Sequence, residues 1–515
     1  KKNNIKTTLH YGDRFGDHGV NLLAGWQDED YWERWFSGYR RGFDLPGYDV
    51  LDAGATDEQK AEGTGSDWAL RSFFGRINYD YKERYLFEAN IRYDGSSRFA
   101  KGHKWGVFPS FSGGWRLSEE YFWDSLQDIL TNFKIRASWG QLGNQNIGTY
   151  PFDSFIDIDL PYIFNSAPYS GAGLLAMANN QISWEKTEMT NLGLDFTLFN
   201  NLHMTFDYYV KNTTGILLTL DVPKIIGLTA PYQNAGKVRN KGWELGLNYA
   251  NKVNDFSYNI GFNLSDVKNK IIDLKGINSS GLLVNHEGYP MNSIYALEAI
   301  GFFTNEDQLK NHATQYGNYT LGDIMYKDQL TIDTDGDGIP DEADGIINDD
   351  DKVIVGNSIP RFTFGLSTYL AWKNFDFNML LQGVGKVDGY LYSQSVMPFY
   401  LGGTATEGHK DYWREDNPNA TFPRLAFNEP NNEQHSTFWM KNAAYLRVKN
   451  MQIGYTFPKN ILHNVGIENL RVYLSGQNLF SFDNFWDGFD VESSVGRGNH
   501  YPQVRSFSVG LDIKF

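Results

Sequence analysis

The last ten residues, Ser506–Phe515, read SFSVGLDIKF and constrain the chain more than any other stretch. Phe507, Val509, Leu511, Ile513 and Phe515 share one face of an extended strand, and Ser508, Gly510, Asp512 and Lys514 share the other. The pattern recurs. In Arg361–Trp372, Phe362, Phe364, Leu366, Leu370 and Trp372 oppose Thr363, Gly365, Ser367, Tyr369 and Ala371. In Arg84–Asp94, Tyr85, Phe87, Ala89, Ile91 and Tyr93 oppose Leu86, Glu88, Asn90, Arg92 and Asp94. The wet face of that last segment is mostly charged, and a packed sandwich could not bury it without partners. Alternating segments of about 10 residues, apolar outside and polar inside, predict an all-β transmembrane antiparallel barrel in an outer membrane.

Composition fits this reading. A chain of 515 residues exceeds a single core unless one large closed sheet carries it. Only every second strand residue of a barrel must be apolar, so a mean hydropathy of −0.47 is compatible with a membrane. No apolar run reaches the length of about 18 residues that a transmembrane helix needs. The absence of Cys removes disulfides, thiol catalysis and Cys-based zinc sites. A net charge of −16 argues against nucleic acid as a partner and is read as solubility of large polar loops.

About 15 strands can be traced, joined by shorter and longer connections in alternation, as expected of periplasmic turns and extracellular loops. Long loops are predicted at Asp28–Trp68, Gln141–Lys186, Lys211–Lys237 and Lys386–Trp439, and a large extracellular insertion at 265–360. Ser293–Phe303 looks strand-like but is placed inside that insertion, because a membrane strand there would break the alternation.

Several segments, in chain order, carry a resemblance. NIRYDGSSRF (Asn90–Phe99), FPSFSGGWRLSEEYF (Phe108–Phe122), RASWGQLGNQNIGTYPF (Arg136–Phe152) and NAGKVRNKGWELGL (Asn234–Leu247) resemble the SusC/RagA-like TonB-dependent transporters. So do GDIMYKD (Gly322–Asp328), TFPR (Thr421–Arg424), YLRVKNMQIGYTFPKN (Tyr445–Asn460) and LRVYLSGQNLF (Leu470–Phe480). The resemblance implies a nutrient importer in the outer membrane of a Gram-negative, Bacteroidetes-like cell. It would take up oligosaccharides or peptides with a SusD-like surface lipoprotein as lid and TonB as the source of energy. It also implies a barrel of about 22 strands. About seven strands, with the plug and TonB box, are therefore expected on a separate piece that pairs with both edges of this one. A passive porin or a surface glycan-binding protein would share the strands. No GxSxG, HExxH or Walker loop points to an enzyme.

The strongest local chemical signal is DTDGDGIPDEADG, Asp333–Gly345. Asp333, Asp335 and Asp337 occupy positions 1, 3 and 5 of a calcium loop, with Gly338 at 6 and the Ile339 carbonyl at 7. Asp341 falls at 9 and Asp344 at 12, where Asp replaces the usual Glu. A structural Ca²⁺ is expected there; the alternative is a solvated acidic turn. The stretch Asp28–Phe43 places Trp32, Trp35, Tyr39 and Arg40 close in sequence, and flat rings beside hydrogen-bonding groups suit a sugar or peptide. The alternative is a loop packing its own small core or a partner's surface.

Overall fold

The computed structural model describes residues 1–44, 46–48, 50–220, 222–276, 281–462 and 466–515. A 16-stranded antiparallel sheet forms the wall, and fifteen of its strands follow one another in chain order. They are β1 (Lys2–Phe15), β2 (His18–Tyr39), β3 (Lys60–Tyr81), β4 (Tyr85–Ser96), β5 (Trp105–Arg116), β6 (Leu130–Asn144), β7 (Glu185–Leu198) and β8 (Leu202–Thr219). Then come β9 (Tyr232–Val253), β10 (Phe256–Asp273), β11 (Arg361–Trp372), β12 (Phe375–Lys386), β13 (Tyr445–Thr456), β14 (Asn469–Gln477) and β15 (Ser506–Lys514). The short strand Ser481–Asp483 also pairs with β13. Among the described residues β1 pairs only with β2 and β15 only with β14, so the sheet is open between its first and last strands.

Alternation sets the two faces of the wall. Leu9, Ile91, Leu192, Leu474 and Val509 stand bare on its outside, at 53–75% exposure for the first two and 73% for Val509. A water-soluble sheet would cover such a belt, whereas hydrocarbon solvates it. Inside, charges pair across strands. Arg136 on β6 donates to Asp195 of β7 at 2.8 Å and to Asp207 of β8 at 2.9 Å, and Lys134 reaches Asp195 at 2.9 Å. Arg471 on β14 donates to Asp376 of β12 at 2.9 Å.

Tight turns gather at one end of the wall. The β7–β8 and β11–β12 connections place Phe199, Asn200 and Lys373 at φ 51°, 61° and 53°, the left-handed conformation that tight hairpins require. Aromatic rings collect at the same end. Tyr81 stacks on Tyr85 at 6.4 Å and Tyr85 on Trp115 at 6.2 Å, as in an interfacial girdle.

The long-loop end differs from the sequence expectation. Residues 28–68 are not a free loop, because β2 and β3 stay paired out to Tyr39 and Lys60. Likewise β8 runs to Thr219, β9 starts at Tyr232 and β10 runs to Asp273. Above the apolar belt both faces of a hairpin are wet, so alternation disappears while the backbone still needs its hydrogen bonds. The large insertion accordingly begins at Leu274 rather than at Ser265. Within it, Ser293–Ala296 pairs with Val353–Asn357, and Ala299–Phe302 with Ile324–Tyr326, outside the wall as expected.

This end also holds the main apolar core. Ile294, Leu297 and Tyr326 of the insertion pack with Tyr390, Leu391 and Met397 after β12, with Trp439 before β13, and with Phe485 and Val491 after β14. Three long loops thus fold into one cap.

Candidate functional site

The cap is held by a buried polar network around Asp323, which is fully buried. Arg424 Nη2 donates to Asp323 Oδ2 at 2.8 Å, and its Nε lies 2.8 Å from Oδ1. Asn432 donates to Oδ1 at 2.7 Å and the Thr320 N–H to Oδ2 at 2.8 Å. Arg424 also donates to Glu429 at 2.6 Å. Burial, then the negative charge of Asp323, raise the Glu429 carboxyl above its ordinary range. Beside this network Gly322 sits at φ +86°, where a Cβ would lie 2.2 Å from the Trp413 ring. Only glycine fits that position.

The acidic stretch forms the tip of a small hairpin, Leu330–Ile332 against Glu342–Ala343. Asp333, Asp335 and Asp337 bring carboxylate oxygens within 4.8 Å of one another. Oxygens bound to one Ca²⁺ at 2.3–2.6 Å lie at most about 5 Å apart, so the three fit one ion. The turn that gathers them uses Gly336 at φ 77° and Gly338 at φ 87°. Gly336 N–H and Gly338 N–H donate to Asp333 at 2.7 and 2.8 Å, and hold its carboxyl below the ordinary value. Ile339 N–H donates to Asp337 at 2.8 Å. Asp341 and Asp344 fall outside this group: Asp341 accepts from Thr334 at 2.8 Å, and Asp344 from the Ile346 N–H at 2.8 Å.

The four residues suggested for ligand contact separate. Trp32, Trp35 and Tyr39 all lie on β2, where pairing with β3 runs without a register shift. Strand parity puts Trp32 on the outer face with Leu22, and Trp35 and Tyr39 on the face that continues the lumen. Tyr31 shares that inner face and stacks on Trp68 at 5.8 Å, with the Arg98 guanidinium 5.1 Å from the Trp68 ring. Arg40 turns back to its own loop, donating to the Gly54 carbonyl at 3.4 Å and to Gln59 at 3.4 Å.

Sequence reading missed a second hairpin, Ile156–Phe164 with Ala167–Leu174, inside the loop between β6 and β7. Ile158, Tyr162, Ile163 and Phe164 are 67–77% exposed, far from the belt that faces lipid. The signal available was the stretch IDIDLPYIF, apolar apart from Asp157 and Asp159, outside every predicted membrane strand.

A wall with a bare apolar outside, a charged inside and a folded cap over its long-loop end defines an outer-membrane β-barrel protein. Residues 2–479 match the description "TonB dependent receptor-like, beta-barrel", and the chain belongs to that family. It is 30% identical to TonB-dependent receptor P3 of Formosa agariphila, over 98% of this chain and 52% of that protein. To TonB-dependent receptor SusC of Bacteroides thetaiotaomicron it is 28% identical, over 98% of this chain and 49% of that one. The fold superposes on the structure of the RagAB peptide transporter with a TM-score of 0.84 at 24% identity, over 100% of this chain and 55% of that one. The chain spans about half the length of the curated relatives it matches. Its place is the outer membrane, and in such barrels the short turns are periplasmic and the longer loops extracellular.

Proposed function

We propose that this chain builds the barrel wall, outer loops and cap of a SusC-like TonB-dependent importer for oligosaccharides or peptides. A SusD-like lipoprotein closes on the cap, and further strands with a plug fill the gap between β1 and β15 and pass on the pull of TonB. The observation that carries this reading is the bare apolar hairpin at 156–174, held on the outer side of the membrane. An apolar surface of this kind marks a protein contact. The paired charges of the inner wall support it too, since a polar solute needs a polar lining. Trp35 and Tyr39, separate rings on the inner face, suit contact with a sugar or peptide better than Trp32 does. Asp333, Asp335 and Asp337, with the Ile339 carbonyl, hold a structural Ca²⁺ that cancels their mutual repulsion; in this reading Asp341 and Asp344 support the loop.

The test is co-purification of the native assembly in mild detergent. Wild-type protein brings down a surface lipoprotein, whereas Tyr162→Ser with Ile163→Asp loses it while keeping heat-modifiable migration. Uptake should stop when TonB is removed. Uptake that continues without TonB and without a lipoprotein identifies a passive porin.

A further inference from the structure

Four cations stand on the outer face of the wall at its extracellular rim, and a fifth, Arg361, reaches them through Asp266. In the β9–β10 ladder Lys241 lies directly opposite Lys268, and Arg239 opposite Lys270. Strand parity puts all four on the face that carries Trp243, Leu245 and Leu264 lower down. Like charges set directly opposite destabilise a ladder, so two consecutive pairs need a reason.

The protein itself supplies little compensation. Arg361 of β11 joins them and takes Asp266, donating from Nη2 at 2.6 Å. Lys268 lies two residues from that same Asp266 on one face of β10. Arg239 donates to a neutral group, Asn212, at 2.7 Å. Lys241, Lys268 and Lys270 are exposed and form no ion pair among the described residues. This excess of positive charge stands on a chain whose net charge is −16.

Height identifies what faces them. Tyr258 packs on Tyr249 near the periplasmic turn, at 5.6 Å between ring centroids. Ten residues along β10 at about 3.4 Å each, tilted by about 40°, lift Lys268 about 25 Å above that pair. That is the height of the apolar band, so the cations meet the headgroups of the outer leaflet. A cavity of about 560 Å³ lies between this rim and the insertion, lined by Lys268, Lys270, Arg361 and Lys386 together with Asp388 and Pro290.

We propose that Arg239, Lys241, Lys268, Lys270 and Arg361 form a binding site for the phosphate groups of a phosphorylated glycolipid in the outer leaflet. The acyl chains lie along Trp243, Leu245 and Leu264, and the phosphates neutralise the opposed lysines. The site fixes the height and rotation of the wall beneath the cap.

The test uses the full transporter assembly, purified from outer membranes and placed in nanodiscs containing either diphosphorylated lipid A or its phosphate-free counterpart. Native mass spectrometry reads the glycolipid retained. Wild-type protein retains the phosphorylated form, and retention falls as salt is raised. Replacing Lys241, Lys268 and Lys270 with Gln weakens retention about 100-fold, from about fivefold per cation. Their replacement with Arg preserves it, and Lys373→Gln at the opposite rim changes nothing. Heat-modifiable migration reports that each variant is folded. If the Gln variant does not fold, the salt dependence and the comparison of the two lipids on wild-type protein still decide. Equal retention of both lipids, retention unchanged in a folded Gln variant, or an acidic protein held by these lysines in place of lipid would overturn the proposal.

Discussion

Arg424 reaches across 101 residues of sequence to Asp323, and the two close the cap by a paired contact of guanidinium and carboxylate. Asp323 belongs to the GDIMYKD segment of the insertion and Arg424 to the TFPR segment after β12. One ion pair therefore ties two long loops that share no strand of the wall.

Removing one partner leaves a buried charge without its counterion, so Arg424→Ala should cost about 3–5 kcal/mol of cap stability. Asp323→Asn should cost less, since Asn432 and Thr320 still find a polar group. Hydrogen exchange of the native assembly checks this. Residues 293–326 and 389–439 should exchange faster in Arg424→Ala, with the wall strands unchanged.

Gly322→Ala tests the same junction without touching a charge. The left-handed backbone costs about 1–2 kcal/mol for a residue with a Cβ, and the overlap with Trp413 adds about 1–3 kcal/mol. Protease cleavage confined to the cap, at a rate at least tenfold above wild type, is the expected readout, tenfold being about 1.4 kcal/mol.

The wall was legible in the sequence because lipid demands strict alternation. All fifteen strands traced there coincide in place with β1–β15. What lies above the lipid was not legible. Trp32 and Trp35 read as neighbours in a loop, yet an odd spacing on a strand sends them to opposite faces. The mixed DEDYWERWFSGY stretch shows no period because water wets both of its faces. The pairing of Asp323 with Arg424 leaves no trace in spacing, since nothing local links residues in separate loops. The three clustered aspartates were legible because one short turn gathers them, whereas Asp341 and Asp344 were drawn aside by Thr334 and Ile346.

Lipid exposure should dominate the response to charge. Ile91, 53% exposed near the middle of β4, faces hydrocarbon, so Ile91→Arg should destabilise the reconstituted barrel by about 2–4 kcal/mol. Asn90→Arg, one residue away and facing the lumen, should change it by less than about 1 kcal/mol. Urea unfolding in vesicles compares the two.

The acidic hairpin gives a pH and metal prediction. Backbone donors from Gly338 and Gly336 stabilise ionised Asp333 and depress its value below the ordinary 3.8. This contribution is therefore complete above the unfolded value and is lost as pH falls through the lower folded one. Calcium should slow hydrogen exchange across residues 330–343 at neutral pH, with the effect fading in that acid range. Alanine at Asp333, Asp335 and Asp337 together should abolish the calcium response, and an unchanged response would place the ion elsewhere.

The chain contains no Cys, which makes single-cysteine labelling a clean probe of its orientation across the outer membrane. Ile163→Cys, on the bare hairpin, should react with a bulky impermeant maleimide on intact cells once the proposed lipoprotein lid is removed, and slowly while that lid is present. Asn254→Cys, in the β9–β10 turn, should react only after the outer membrane is opened. Labelling of Asn254→Cys on intact cells, or of Ile163→Cys only after opening, would contradict a wall that carries its cap outside.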